Sequence, residues 1–202
     1  SIRRQRQMCI RDSINRAQAS VSSHTTPSAT HLRYTYPRRY HHCSMSTPRR
    51  NTQGDEVWMK TIIERCADAI DAGEAPFAAA IVRDDHIVSI EHNLCRSTGD
   101  PTAHAEILAI RSAAEKLGTQ DFIGCTLYTT CEPCPMCFGA AHFAKVDRIV
   151  YGATIGDAAL AGFGQLPIFS TQLKLMGRSP VDLTSEYLRE ECVALLTGRS
   201  RG

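Results

Sequence analysis

The 202-residue chain has no run of about 18 apolar residues, so nothing in it reads as a membrane-spanning helix. No short apolar stretch in these residues reads as a secretory signal. An even, regularly spaced set of cysteines is missing too. The nine present are Cys9, Cys43, Cys66, Cys95, Cys125, Cys131, Cys134, Cys137 and Cys192, scattered apart from one tight group. That pattern argues against a disulfide framework and for intracellular thiols plus a metal site. No internal repeat is visible. What remains is a chain of 43% hydrophobic composition, long enough to bury one core and form one domain.

Acids are nearly missing from the first 44 residues, which carry eight Arg against Asp12 alone, a balance of +7. Residues 45–202 carry fifteen Lys and Arg against twenty Asp and Glu, a balance of −5. Such different segments do not share one surface, and the body is acidic. Residues 1–54 show no apolar periodicity and are rich in Arg, Ser, Thr, His and Pro, so they are expected to be disordered. The segment has the composition of an organelle transit peptide, or of a basic arm for nucleic acid. A third reading takes "RRQRQMCIRDS" as translated adapter sequence, with Met45 as the true start. The functional domain is expected over 55–202.

Within the body, Trp58, Met59, Ile62, Ile63, Cys66, Ala69 and Ile70 recur at helical spacing, and Gly73 marks a stop. Phe77–Val82 and Ile87–Ile90 flank Asp84-Asp85-His86 and predict a hairpin. Thr102 is the expected N-cap of a helix from Ala103 to Leu117, closed by Gly118. A strand is expected over Thr126–Thr130, a helix over Pro135–Ala144, a strand over Arg148–Gly152 and a last helix over Ser185–Leu196. Strands alternating with helices predict an α/β sheet covered on both faces.

The stretch "TTCEPCPMC" places Cys131, Cys134 and Cys137 three residues apart. A ferredoxin-type cluster would need a fourth cysteine where Ala141 stands, which removes the iron–sulfur reading. Zinc needs fewer thiolates and accepts imidazole, which His104 in "PTAHAE" can supply. Pro135 suits the first turn of a helix, so Cys134 and Cys137 fall on one helical face near its positive end. That field favours thiolate. Cys131 precedes the turn and is expected to pack or cap; using it as a fourth ligand would make a closed structural clip and leave Glu106 without a purpose. His104 and Glu106 are about 200° apart around a helix, so both reach one site only if it lies over the helix N-terminus. Three protein ligands leave a fourth position open for water, as in catalytic zinc sites. Glu106 is then the carboxylate placed to take a proton and deliver it to a leaving nitrogen.

His-x-Glu followed by Pro-Cys-x-x-Cys resembles the signature of the zinc-dependent cytidine/deoxycytidylate deaminase superfamily. The resemblance runs from Val57 to Leu196, and "DPTAHAEILAIR" with "LYTTCEPCPMCFGA" is similar to the branch of guanine deaminases and tRNA adenosine deaminases. It implies a three-layer α/β/α sandwich around a five-stranded mixed sheet, a homodimer and one zinc ion on His104, Cys134 and Cys137, with Glu106 as proton shuttle. It also implies a substrate contact from Asn93. Phe77 and Phe143 are candidates for stacking on a heterocycle, against the plainer reading of both as core. His142 is expected to be a satisfied surface or interface histidine.

The implied activity is hydrolytic release of ammonia from a small purine base or nucleoside, in the cytoplasm unless residues 1–44 direct organellar import. The segment Ala161–Phe163 resembles guanine deaminases, but those continue with acidic residues where this chain has Gly164-Gln165. The first alternative is A-to-I deamination of a tRNA anticodon, favoured by the tail "LREECVALLTGRSRG" with Arg199 and Arg201, and opposed by the acidic body. The remoter one is a zinc-stiffened interaction domain without catalysis.

Overall fold

The computed structural model describes residues 52–198. The expectations for Met45, the basic arm, Arg199 and Arg201 lie outside these. Helix α1 spans Thr52–Asp71, so it starts inside the segment expected to be disordered. Strands β1 (Ala78–Arg83) and β2 (His86–His92) form the expected hairpin. Its two-residue turn has Asp84 and Asp85 at φ 50° and 56°, the left-handed pair that matches strand twist. Then come a short helix α2 (Cys95–Thr98), α3 (Ala105–Leu117), β3 (Cys125–Cys131), α4 (Pro135–Phe143) and β4 (Arg148–Ala153). The chain continues with α5 (Ile155–Leu160), α6 (Ser170–Gly177), β5 (Asp182–Thr184) and α7 (Arg189–Leu196).

The sheet is mixed, with strand order β2-β1-β3-β4-β5: β1 runs antiparallel to β2 and β3, and β3, β4 and β5 are parallel. Strand alternation divides the core. Ala78, Ala80 and Val82 of β1 face Met59, Ile62 and Cys66 of α1 and Cys192 and Leu195 of α7. Ala79 and Ile81 face Ala105, Ala109 and Ala113 of α3 and Phe138 and Ala141 of α4. The result is the expected three-layer sandwich, with both faces of β1 buried, as in strands covered by helices.

Two close fits fix the α1/α7 layer. Asp55 of α1, 2% exposed, takes both guanidinium nitrogens of Arg148 at 2.9 and 2.8 Å and the Tyr128 hydroxyl at 2.6 Å. Removing one partner of so buried a pair costs about 3–5 kcal/mol. At Gly152 of β4 a Cβ would run into Cys192 Sγ, so α7 lies on the strand where no side chain intervenes.

Two sequence expectations need correction. Thr102 is not the N-cap of α3; its N–H and hydroxyl both bond Asp100 Oδ1 at 2.7 Å, and His104 takes the cap position. The last helix starts at Arg189 rather than Ser185, because Glu186 and Leu188 adopt φ of 58° and 49°.

Candidate functional site

Two helix N-termini meet over the ends of the parallel strands, the edge where α/β sheets place ligands. The Asp100 turn and the Leu94 N–H to Ala103 carbonyl bond (3.0 Å) deliver His104 to the N-cap of α3 at φ −68°, ψ 150°. Cys134 is the N-cap of α4 at φ −64°, ψ 167°, with Pro135 beginning the helix and Cys137 in its first turn. Neither cap side chain bonds its own helix, which leaves imidazole and thiol directed to a common point.

His104 Nδ1 lies 3.7 Å from Cys134 Sγ and 3.5 Å from Cys137 Sγ. Nitrogen and sulfur donors on one tetrahedral zinc stand about 3.6 Å apart, given bond lengths near 2.0 and 2.3 Å. The three donor atoms lie within 4.8 Å of one another, so the set fits zinc in both chemistry and spacing. Cys131 does not join this group. Its thiol donates to the Thr154 carbonyl at 3.8 Å, and burial holds it well above the usual thiol range.

The charges suit the donors. Hydrogen bonding from Cys137 pulls the Cys134 thiol down to about 4, with His104 adding to the effect, so Cys134 is a thiolate at neutral pH. Cys137 holds the shared proton and is raised by that same bond and by burial. Glu106, in the first turn of α3 and 6% exposed, is pushed up to about 7, first by burial and then by the Cys134 charge. A carboxyl in that range both takes and gives a proton near neutral pH.

A cleft of about 300 Å3 opens beside these groups, lined by His104, Glu106, Cys134, Asn93, Phe77, Arg96, Phe163 and Gln165 among others. Phe77 and Phe163 meet edge to face at 5.2 Å and 76° on its wall. Asn93, 4% exposed, lines the cleft and also serves as a turn residue, its Oδ1 accepting from the Cys95 N–H at 3.0 Å. Phe143 does not reach it: the ring is 80% exposed at the far end of α4, beside His142. A helix carries its last residue about a dozen ångströms from its first, which removes Phe143 from the stacking candidates. His142 is satisfied by the Ser179 hydroxyl at 2.9 Å.

Two lining groups have little signal in the sequence. Arg96 belongs to a four-residue helix with no apolar periodicity. Gln165 comes from a loop, and its Oε1 is shut off from water without a hydrogen-bond partner.

The family described as the cytidine and deoxycytidylate deaminase zinc-binding region matches residues 52–153. The chain is 43% identical to the guanine deaminase of Bacillus subtilis over 109 residues, which cover 54% of this chain and 70% of that protein. It is 35% identical over 147 residues to the tRNA-specific adenosine deaminase of the same organism, covering 71% of this chain and 86% of the relative. Among solved structures it resembles the guanine deaminase from Nitrosomonas europaea, with TM-score 0.66 and 28% identity over 78% of this chain and 95% of the other.

Proposed function

Because the chain belongs to the cytidine and deoxycytidylate deaminase zinc-binding family of hydrolytic deaminases, we propose that its cleft takes a purine base or nucleoside in the manner of a guanine deaminase. The observation that carries this reading is Glu106: a buried carboxyl lining the same cleft as a zinc-type donor set and an aromatic wall. His104, Cys134 and Cys137 would hold the ion, which would supply the Lewis acidity that makes water a nucleophile at neutral pH. Glu106 takes the proton of the attacking water. It delivers that proton to the ring nitrogen, then takes the second proton from the added hydroxyl and passes it to the departing amine, so that the C–N bond breaks and ammonia leaves neutral. Phe77 and Phe163 bound an apolar slot for a flat ring, and Asn93 offers an amide to its polar edge.

A second reading is deamination of adenosine in tRNA, favoured by the longer match to the tRNA-specific relative, 147 residues against 109. The balance of −5 over residues 45–202 supports the small substrate, since a polyanion needs clustered Lys and Arg. The chain acts as a homodimer on this reading, whose interface would cover exposed apolar groups such as Phe143 and Met176. None of the seven described cysteines is in a disulfide, which suits the cytoplasm. No described helix is long and apolar enough to cross a membrane. Ammonia release from the purified, zinc-loaded protein decides between the substrates, measured with guanine, adenine, their nucleosides and a tRNA anticodon stem-loop. Turnover of a free purine is the expected result; turnover of the stem-loop alone would replace the first reading by the second.

A further inference from the structure

Glu132 stands between Cys131 and Pro133, 2% exposed, in a position the zinc chemistry does not use. Both carboxyl oxygens turn to backbone. Oε2 accepts from the N–H of Ile155 at 3.1 Å and Oε1 from the N–H of Ser170 at 2.7 Å. Ile155 is the first residue of α5 and Ser170 the first of α6, so one side chain satisfies the open starts of two helices. The main chain joins the same knot: the Glu132 N–H donates to Ala153 at 2.7 Å, and the Ser170 hydroxyl to the Pro133 carbonyl at 3.3 Å.

Between the two helices runs the segment 161–169, which carries Phe163 and Gln165 to the cleft wall. It belongs to no strand. Its backbone bonds are local, such as Phe163 N–H to Ala158 and Ile168 N–H to Leu166, and Leu166 is 63% exposed. Its placement relative to Cys134 therefore depends on what ties the two flanking helices to the metal-ligand turn. Glu132 holds the first residue of each: Ser170, which directly follows the segment, and Ile155, one six-residue helix ahead of it.

We propose that Glu132 is a positioning residue that sets the gap between the metal end of the cleft and the Phe163–Gln165 wall, and so the ring the cleft admits. This rests on the reading of the cleft as a substrate site. Glu132 touches the substrate only through the segment it holds.

Glu132→Gln is the test, because the amide keeps one acceptor and turns an NH2 toward the second buried N–H. Tyr128→Phe, which loses the bond to Asp55 far from the cleft, is the control for general loss of stability. In Glu132→Gln, bound zinc stays at one per chain and kcat is little changed. KM for the free base turned over rises about tenfold or more, the scale of leaving a buried donor unmet. Hydrogen exchange at the Phe163 and Ile168 amides speeds up by about the same factor, through local opening. Tyr128→Phe lowers Tm without either change. If Glu132→Gln does not fold, Ser170→Pro removes one of the two donors at a first helical position that accepts proline, and the same KM and exchange shifts are expected.

Wild-type KM and wild-type exchange in the folded variant overturn the proposal, as does a KM rise that Tyr128→Phe reproduces. A wild-type enzyme inactive on every purine would sink the functional reading instead, while the exchange result would still decide the role of Glu132.

Discussion

Glu106, buried, and Cys134, partly buried, line the same cleft yet are driven in opposite directions, the carboxyl up to about 7 and the thiol down to about 4. Burial dominates the first. Hydrogen bonds from Cys137 and His104 dominate the second. Glu106→Gln keeps the shape of the side chain but loses the transferable proton. It should leave zinc content unchanged and lower the rate of ammonia release by about 10²–10⁴-fold. Normal turnover by a zinc-replete Glu106→Gln protein would refute the proposed proton transfer. The cysteines separate in a metal assay: Cys134→Ser and Cys137→Ser should lose stoichiometric zinc and lower Tm, since metal binding and folding are linked. Cys131→Ser should keep the ion, because its thiol is engaged with Thr154 rather than with the donor cluster. Equal zinc loss in all three variants would remove the distinction.

Among the elements, α5 offers the cleanest acid-side experiment. Its N-cap Thr154 and Asp157 form a reciprocal capping pair, and Asp157 also accepts from Arg189 at 2.9 and 2.6 Å, which joins α5 to the start of α7. The Arg189 bond, more than any other contact, lowers the Asp157 carboxyl below its ordinary 3.8. Unfolded chains then hold the Asp157 proton more tightly than folded ones, so the stability it contributes is present above 3.8 and is lost as pH falls below. Asp157→Asn should destabilise at pH 7 by about 1 kcal/mol, the usual worth of a cap, and the gap to wild type should close toward pH 3. A gap that stays constant in pH-dependent urea titrations would argue against the charged form.

What could be read along the chain follows the strength of local signals. The buried stripe of α1 and the Asp84-Asp85 turn carry their periodicity and turn chemistry within a few residues, and both appear as expected. The pairing of His104 with Cys134 was legible from spacing and from Pro135. Thr102 misled because Asp100, two residues earlier, captures its hydroxyl and pushes the helix start to His104. Strand β5, three residues long, and helices α5 and α6 hold too few buried positions for a period to show. Glu132 was illegible for a different reason. Its two partners lie 23 and 38 residues away, and nothing local says a carboxyl belongs between a cysteine and a proline.

At the scale of the whole molecule, every group placed in the chemistry falls between Phe77 and Gln165, and the first described tie into the core is Asp55. A chain beginning at Met45 should therefore fold and turn over free purines at the rate of the longer one, measured by ammonia release. Activity lost on the tRNA stem-loop alone would show that the eight arginines of residues 1–44 serve a polyanion, and would move the tRNA reading ahead.

The segment 161–169 lies outside every strand, between two helices whose first residues Glu132 holds, while His104, Glu106, Cys134 and Cys137 sit at helix starts packed on the sheet. The part that chooses is thus separate from the part that reacts, and the two can be inherited independently. Insertions, deletions or swapped loops in those nine residues leave the reactive machinery intact as long as the two anchoring amides remain. A library confined to 161–169 samples new customers for an old reaction, and diversification among related enzymes is expected to concentrate there rather than in the sheet.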